Sequence, residues 1–394
     1  MKKTLLAAAL VAGFAGVAHA ESSVTLYGLV DAGYGFTSIQ SKHSGDGILN
    51  GKVRKRENGV QSGVLNGNRW GLKGKEDLGN GTSAIFVLES GFTLADGRSA
   101  QGGRLFGRQA YVGLTGDSWG TFTIGRQYNA GDTFVAPIDP FGTGGGFAAA
   151  TQIFGSSLSD RYDGVIKYVT PNFNGFQFGV GLVHSDDQTK KSGGFGDDKV
   201  TDRTIGVTTG LGYTSGPIYV GASFDYLNKK TRANGVTTKD AKTKAWNVGA
   251  TYDFDVVKLH LMYGGQHDGT FGDLGLAGEA LDQNFGKVFS SAGLGAKGFR
   301  QHSWLGGLSA PVGDAGKVMF SYAGNTIKNK KIRNDLKIKS HNFALGYRHS
   351  LSKRTSVYGL ASYGWSNAKD KDRGLNSKIK TTVTQAVIGL QHRF

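Results

Sequence analysis

Apolar and polar residues alternate along most of the chain after its first twenty residues. In 217–227, the even positions are all aliphatic or aromatic, whereas the odd positions include Gly221, Ser223 and Asp225. The same alternation recurs in 24–36, 175–184, 245–254 and 341–349. A period of two over about ten residues is typical of barrel strands with one face in lipid and the other facing a polar interior. The pattern therefore predicts an all-β transmembrane chain.

The connections between these segments alternate between short and long. Short turns are expected at 77–81, 116–120, 171–175, 214–217, 253–255, 311–316 and 351–354. Long polar loops are expected near 37–65, 93–105, 128–160, 186–202, 229–243, 267–299, 327–340 and 367–381. Seven short and eight long connections make fifteen, which predicts a 16-stranded antiparallel β-barrel with an aqueous channel. The alternative is a soluble all-β sandwich or propeller, which fits an apolar outside and a polar inside less well.

The stretch 128–160 is too long and too rich in glycine for a hairpin loop. Loops of this length in a compact fold are functional or disordered, and its apolar and aromatic content argues against disorder. It contains Asp132 and Asp139 and is flanked by Arg126 and Arg161. We therefore predict that 128–160 folds into the lumen, narrows a water-filled pore and faces a wall of basic residues.

Five basic residues lie in the predicted strands around this loop: Arg69, Lys73, Arg108, Arg126 and Arg161. A charge on the lipid face costs about 2–4 kcal/mol at mid-bilayer, so these residues should face the lumen or lie near an interface. Rings of Arg or Lys select anions in a pore. Arg126 alternates with Phe122 and Ile124 on the same face of its strand, and these two residues are expected to point outward. Either a bulge at Gly125 turns Arg126 inward, or this wall packs on a neighbouring subunit. For each basic residue the alternative is a solvated strand end.

The first twenty residues combine Lys2 and Lys3, an apolar run from Leu5 to Ala18 and the small-residue site Ala18-His19-Ala20. This is the arrangement of a cleaved secretory signal peptide, and the run is shorter than the ~20 residues of a spanning helix. We therefore predict a signal peptide at 1–20 and one barrel domain at 21–394.

Composition narrows the possible functions. The chain has no cysteine, which excludes disulfides and thiolate chemistry. It has 46 Lys and Arg against 30 Asp and Glu, without a compact basic block interleaved with aromatics, so nucleic-acid binding is not expected. The G-x-G-x-x-G match at 293–298 lacks a strand-to-helix context, and the nine histidines lack ligand spacing. We expect no enzyme activity, no catalytic residue, no metal and no cofactor.

Several stretches together resemble the general porins of Gram-negative bacteria, especially those of β-proteobacteria such as Burkholderia, Bordetella and Neisseria relatives. The matching stretches are SSVTLYGLVDAG (22–33), NRWGLKGKEDLGNGTSAIFVLESGF (68–92), RQAYVGL (108–114), GTFTIGRQY (120–128) and GLQHRF (389–394). The resemblance covers the whole mature chain and is weakest in the loops. It implies a homotrimer in the outer membrane that passes ions and small hydrophilic solutes by passive diffusion.

The resemblance also assigns roles to individual residues. It makes 128–160 the constriction loop and maps its basic partners to Arg69, Arg126 and Arg161. Porins often carry Pro-Glu-Phe-Gly-Gly in this loop, whereas this chain has Asp139-Pro140-Phe141-Gly142, so either Asp132 or Asp139 is the acidic partner. The terminal Phe394 matches the family's outer-membrane assembly signal. Expected partners are the barrel-assembly machinery, outer-membrane lipids and lipopolysaccharide.

The sequence thus predicts a general diffusion porin with an anion preference. Two alternatives remain at this point. One is a substrate-specific anion channel, which a denser basic ladder through the lumen would favour. The other is an adhesin or outer-membrane enzyme built on the same barrel.

Overall fold

The computed structural model describes residues 22–45, 50–193, 196–269, 275–278, 297–329, 336–372 and 375–394. Within these ranges, seventeen strands form a single antiparallel sheet. The strands are β1 (Ser23–Gly45), β2 (Gly51–Ser62), β3 (Arg69–Gly79), β4 (Thr82–Gly91), β5 (Gln109–Gly116), β6 (Gly120–Tyr128), β7 (Arg161–Val169), β8 (Phe176–Gly193), β9 (Gly196–Ser215), β10 (Ile218–Ala233), β11 (Val236–Asp253), β12 (Lys258–His267), β13 (Phe299–Val312), β14 (Gly316–Asn329), β15 (Leu336–Ser350), β16 (Thr355–Asp372) and β17 (Leu375–Arg393). Two short helices, α1 (Ala130–Phe134) and α2 (Thr151–Phe154), lie between β6 and β7.

The sheet closes on itself because β1 pairs with both ends of the strand order. Along one edge, β1 pairs with β17 from Leu29 to Gly45. Along the other edge, it pairs with β2 over 32–43 and with β3 over 23–29. Strands β2 and β3 therefore lie end to end and share one position in the wall, so the barrel has sixteen strand positions. The predicted 16-stranded antiparallel barrel is confirmed.

All seven predicted short turns lie where the sequence indicated, at one end of the barrel. The long connections differ from the prediction. Most of 37–65 is strand, since β1 continues to Gly45 and β2 runs from Gly51 to Ser62. Strand pairing likewise continues through most of 186–202 and 229–243. Beyond the apolar band both faces of a hairpin are polar, so the alternation that reveals a strand disappears although the backbone ladder continues.

The two faces of the barrel differ in chemistry. On β15, Phe343 and Leu345 are exposed on the outer face, whereas Ser340 and Asn342 are buried on the inner face. The other strands repeat this pattern, with an outer surface of aliphatic and aromatic residues. Such a wall buries its apolar face in lipid and keeps its polar face in a wet interior. Among the described residues, no helix is long and apolar enough to cross a membrane. The predicted signal peptide lies outside the described residues.

The segment 129–160, called the inner segment below, contacts inward-facing side chains on many parts of the wall. Gln301 Nε2 and Asn325 Nδ2 each donate to the carbonyl of Ile153 at 2.8 Å. Gln266 and Asn342 donate to carbonyls of the same segment, from β12 and β15. Phe134, Ile138, Ile153 and Phe154 are almost fully buried against the wall. Because these partners occupy the inner face of a closed barrel, the inner segment lies in the lumen.

Candidate functional site

A cavity of about 440 Å³ lies between the inner segment and the barrel wall. Its basic lining residues are Arg69, Arg108 and Arg161, and its acidic lining residue is Asp132. The remaining lining residues are small or polar: Asn66, Gly67, Tyr128, Gly142, Thr143, Gly144, Thr151, Gln152, Ser156, Ser159 and Gly275. The structure thus brings together four of the seven charged residues that the sequence suggested for a constriction.

Arg108 is held by two partners. It immediately precedes β5, and its Nε donates to Glu89 Oε1 on β4 at 2.7 Å. Its Nη2 donates to the hydroxyl of Tyr128 at 2.9 Å. Arg108 and Glu89 are both buried, so this charge-assisted hydrogen bond fixes the guanidinium at the cavity wall. Glu89 offsets most of the charge of Arg108.

Arg161 shares the Tyr128 hydroxyl with Arg108. Arg161 begins β7, and its Nη2 donates to the same phenolic oxygen. Its guanidinium also lies over the Tyr128 ring, 4.2 Å from the centroid, a cation–π arrangement. Tyr128 therefore aligns two arginines side by side. No carboxylate forms an ion pair with Arg161 within the described ranges, so its charge acts on the cavity.

Arg69 lies at the start of β3. It follows a short segment, 63–68, at which the chain leaves the wall and turns inward; this segment is called the excursion below. Its Nε donates to the carbonyl of Gly67 at 3.0 Å. Buried Asp31 on β1 holds this excursion, because its carboxylate accepts the backbone N–H groups of Val64 (3.1 Å) and Asn66 (3.0 Å). The same carboxylate accepts hydrogen bonds from Tyr358 and Gln391 on β16 and β17. Asp31 thus ties the excursion to the closing strands of the barrel and positions Arg69.

Asp132 is the acidic residue that the inner segment contributes to the cavity. It lies in α1, whose N-cap residue Asn129 accepts the Asp132 N–H through its side chain. Ser159 donates to the Asp132 carboxylate from the far end of the segment. Burial raises the pKa of Asp132, while Ser159 and the charges of Arg161 and Lys167 act against this rise. Asp132 therefore lies within the electrostatic reach of the arginines.

Asp139 has a different environment. It is 3% exposed and does not line the cavity. Its carboxylate accepts the backbone N–H groups of Phe141, Thr143 and Ala150, at 2.9–3.0 Å. Burial raises its pKa to about 6, although these three donors act against the rise. Asp139 thus folds the tip of the inner segment back on itself, and of the two candidate acidic partners only Asp132 lines the cavity.

Arg126 does not line the cavity, contrary to the sequence-based expectation. The β6–β7 register does shift between Gly125 and Gln127, but the predicted bulge in β6 is wrong: the extra residue is on β7, because Gly125 pairs with Val165 and Gln127 pairs with Tyr162. The alternation of β6 is therefore uninterrupted: Thr123 and Gln127 are buried on the inner face, and Arg126 stays on the outer face with Phe122 and Ile124. There the Arg126 guanidinium pairs with Asp163 at 2.6 Å and donates to the carbonyl of Gly107.

Lys73 also lies outside the cavity lining. It shares the inner parity of Arg69, four residues further toward the short-turn end of β3. Its ammonium lies 5.4 Å from the centroid of the Tyr27 ring. Lys73 is therefore a lumen-facing charge away from the arginine cluster.

Sequence reasoning missed Glu89, Tyr128 and the 63–68 excursion. Glu89 could have been predicted, because a charge within a barrel strand is unfavourable against lipid. A carboxylate there, like Arg69, should therefore face the lumen and have a partner. Tyr128 and the excursion carried none, since their roles depend on contacts with distant strands. Among the described residues, no group of three or more His, Cys, Asp or Glu side chains could hold a metal ion.

Comparisons with known proteins agree with this architecture. The family model described as Gram-negative porin matches residues 7–371. An outer membrane porin protein of Bordetella pertussis is 41% identical over the full length of both chains. Outer membrane porin protein 32 of Delftia acidovorans is 30% identical, also over the full length of both.

The fold matches solved structures as well. The anion-selective porin from Comamonas acidovorans superposes with a TM-score of 0.62 at 27% identity, covering 95% of this chain and 100% of that one. The trimer form of OmpT from Vibrio cholerae gives a TM-score of 0.55 at 13% identity, a likeness of fold alone. The family model and the full-length matches, together with the closed sixteen-position barrel and its polar lumen, show that the chain belongs to the Gram-negative porin family.

Proposed function

We propose that this outer-membrane porin is a general diffusion channel that prefers anions and is constricted by its inner segment at the arginine cluster. The observation that carries the proposal is the placement of Arg69, Arg108 and Arg161 in one lumenal cavity with a single acidic lining residue, Asp132. Three positive charges stand against Asp132 and the buried Glu89, which leaves an excess of one. Positive charge at a narrow, water-filled passage favours anions. The anion selectivity stated for the Comamonas porin supports the same preference.

The inner segment acts as the constriction loop in this proposal. It crosses the lumen from β6 to the far wall, where Phe147 N donates to Gln385 on β17 at 2.9 Å. Gly145 N donates to the carbonyl of Val64 at 2.7 Å, so the segment also meets the inward excursion held by Asp31. With the segment held by these contacts, the open passage is confined to the side of the lumen that carries the arginines. The proposal requires no catalytic group, no cofactor and no enzymatic activity.

A salt gradient across a planar bilayer containing the purified protein tests the proposal. We expect the reversal potential to lie on the anion side and to move toward zero as salt rises, since the Debye length falls from about 10 Å at 0.1 M to about 3 Å at 1 M. We also expect conductance to rise with salt without saturating. A cation-side potential would refute the anion preference, and saturation by one anion would indicate a substrate-specific channel.

The same measurement on a variant lacking 142–149 tests the role of the inner segment. The N–H groups of Phe141 and Ala150 both bond to the Asp139 carboxylate, so removing 142–149 leaves two chain ends that already lie close together. Because Gly142, Thr143 and Gly144 line the cavity, conductance should rise roughly twofold through a wider passage. Unchanged conductance would show that the constriction lies elsewhere.

We further propose that the protein is a homotrimer. Arg126, Asp163 and Arg104 form an ion-pair cluster on the outer face of the early strands, where charges are unfavourable against lipid. Burial of this wall against another copy would remove that penalty, and closed cyclic symmetry is the usual form of a homo-oligomer. We expect detergent-corrected light scattering to give a trimer mass that falls to the monomer mass on heating. A monomer mass before heating would contradict the proposal.

The remaining proposed partners follow from the location of the protein. Insertion into the outer membrane requires barrel-assembly machinery, and the outer face of the inserted barrel meets phospholipid and lipopolysaccharide. A cleaved signal peptide at 1–20 is proposed for export across the inner membrane.

A further inference from the structure

Basic residues form a row across seven consecutive strands near the long-connection end of the barrel. Each member lies directly opposite the next in the strand register. From β11 to β17 the row, called the basic row below, consists of Lys244, His267, Arg300, Lys328, Lys337, Lys369 and Lys378. Neighbouring strands are about 4.8 Å apart, so six of these side chains place permanent positive charges on one continuous strip.

The basic row faces away from the lumen. On β14, Lys328 shares parity with the exposed Phe320, whereas Ile327 is buried on the inner face. On β15, Lys337 shares parity with the exposed Leu345, whereas Ile338 is buried. The row therefore lies on the surface that continues into the lipid-facing wall, where it cannot contact a solute inside the pore.

Aromatic residues mark the position of the row relative to the bilayer. The outer face carries a band of contacting rings, such as Trp246 with Tyr263 and His341 with Trp365. Lys244 lies two residues beyond Trp246, and Lys369 lies four residues beyond Trp365, both toward the long-connection end. Aromatic bands lie at the membrane–water interface. At about 3.3 Å per residue, these basic residues lie roughly 7–13 Å further along the strand, at the level of lipid head groups.

The row is electrostatically incomplete within the protein. Like charges directly opposite each other on paired strands are unfavourable. Among the described residues, three lysines outside the row are in ion pairs: Lys55 with Glu57, Lys230 with Asp240 and Lys258 with Asp253. Within the described part of the chain, by contrast, the Lys and Arg members of the row form no ion pair. A row of matched cations is stable when anions outside the protein lie between them.

We propose that the basic row is a docking strip for phosphate groups on the head groups of outer-leaflet lipids. Phosphate oxygens accept several hydrogen bonds, so one phosphate can bridge cations on adjacent strands. The long-connection end faces the outside in barrels of this class, which places the row against the outer leaflet. The proposal specifies the lipid partner of the proposed outer-membrane porin and rests on that location, but it is independent of the arginine cluster.

Native mass spectrometry of the full-length protein in neutral detergent tests the proposal, with bisphosphorylated lipid A and its dephosphorylated form as probes. We expect the wild type to bind the phosphorylated form preferentially. The variant Lys244→Gln/Arg300→Gln/Lys328→Gln should bind it on the order of a hundredfold more weakly, the effect of removing three cations from an anionic surface. The variant Lys244→Arg/Lys328→Arg keeps the charges and should bind like the wild type.

A matched control removes three basic residues at the opposite end of the barrel, Lys75→Gln/Lys353→Gln/Arg354→Gln. The control should retain binding, since these residues lie at or near the short turns. Unchanged binding by the row variant, equal loss in the control or equal binding of the dephosphorylated probe would overturn the proposal. The reversal potential of the row variant should match that of the wild type, so failure of the lipid proposal and failure of the channel proposal give different results.

Discussion

Replacing Arg69, Arg108 and Arg161 together by Gln is expected to remove the anion preference and shift selectivity toward cations, because Asp132 and Glu89 then remain as the charges of the site. A unit charge about 5 Å from an ion in water changes its energy by roughly 0.8 kcal/mol, which is about fourfold in relative occupancy. Removing three such charges at one narrow point changes the local charge by three whether or not Asp132 and Glu89 are present, and should lower the anion-to-cation permeability ratio at least about tenfold. The reversal potential in a salt gradient at low ionic strength measures this change directly.

Two controls separate the arginine cluster from the total charge of the protein. The single variant Arg126→Gln removes a charge that the sequence assigned to the constriction but that the structure pairs with Asp163 outside the cavity. The triple variant Lys244→Gln/Arg300→Gln/Lys328→Gln removes as many charges as the cluster variant, from the outer face. Both controls should keep the wild-type selectivity. If either control shifts the reversal potential as far as the cluster variant does, the arginine cluster is not the filter.

Each arginine should contribute differently. Glu89 already balances Arg108, and Arg108→Gln would leave that buried carboxylate unpaired, at a cost to stability. Arg69 and Arg161 pair with no carboxylate in the described residues, so the double variant Arg69→Gln/Arg161→Gln should reproduce most of the loss of selectivity. This double variant also serves if the triple variant folds poorly.

Deleting Phe394 is expected to lower the amount of folded barrel in the outer membrane more than tenfold. Phe394 exchanges two backbone hydrogen bonds with Gly28 on β1, at 3.0 and 3.1 Å. Its ring packs so closely on Gly28 that an added Cβ there would lie 2.3 Å from the ring. The deletion removes both bonds, each worth about 0.5–1.5 kcal/mol, and exposes the first strand where the barrel closes. Heat-modifiable mobility of membrane fractions on gels measures the folded amount.

The variant Leu390→Ala provides the matched comparison. Leu390 lies on the same outer face of β17 and is similarly exposed, but it is not terminal. Phe394→Ala, which keeps the backbone bonds, should fall between this control and the deletion. Gly28→Val should also reduce folding, because its side chain would collide with the Phe394 ring. Wild-type levels of folded protein in the deletion strain would show that Phe394 is not needed for assembly or closure.

The sequence alone determined the barrel. Alternation with a period of two shows which face of a strand meets lipid. Five of the seven short turns also carry Gly, Pro or Asn, which favour turns for local reasons, so strand number and turn positions could be predicted. Length and composition also predicted a lumenal position for 128–160. The hairpins beyond the apolar band could not be predicted as strands, because both of their faces are polar and the backbone ladder leaves no mark in the side-chain pattern.

Only the tertiary structure decided which charged residues meet. Arg69, Arg108 and Arg161 are separated in sequence, and a single hydroxyl, that of Tyr128, aligns two of them. The resemblance assigned Arg126 to the constriction, whereas the alternation placed it outward. The structure keeps it outward, because the irregularity beside Gly125 adds a residue to β7 and not to β6. Asp132 and Asp139 are equally plausible in sequence, but three backbone N–H groups engage Asp139 within its own turn. The basic row likewise exists only through strand register, which places residues from seven strands side by side although no two are neighbours in the chain.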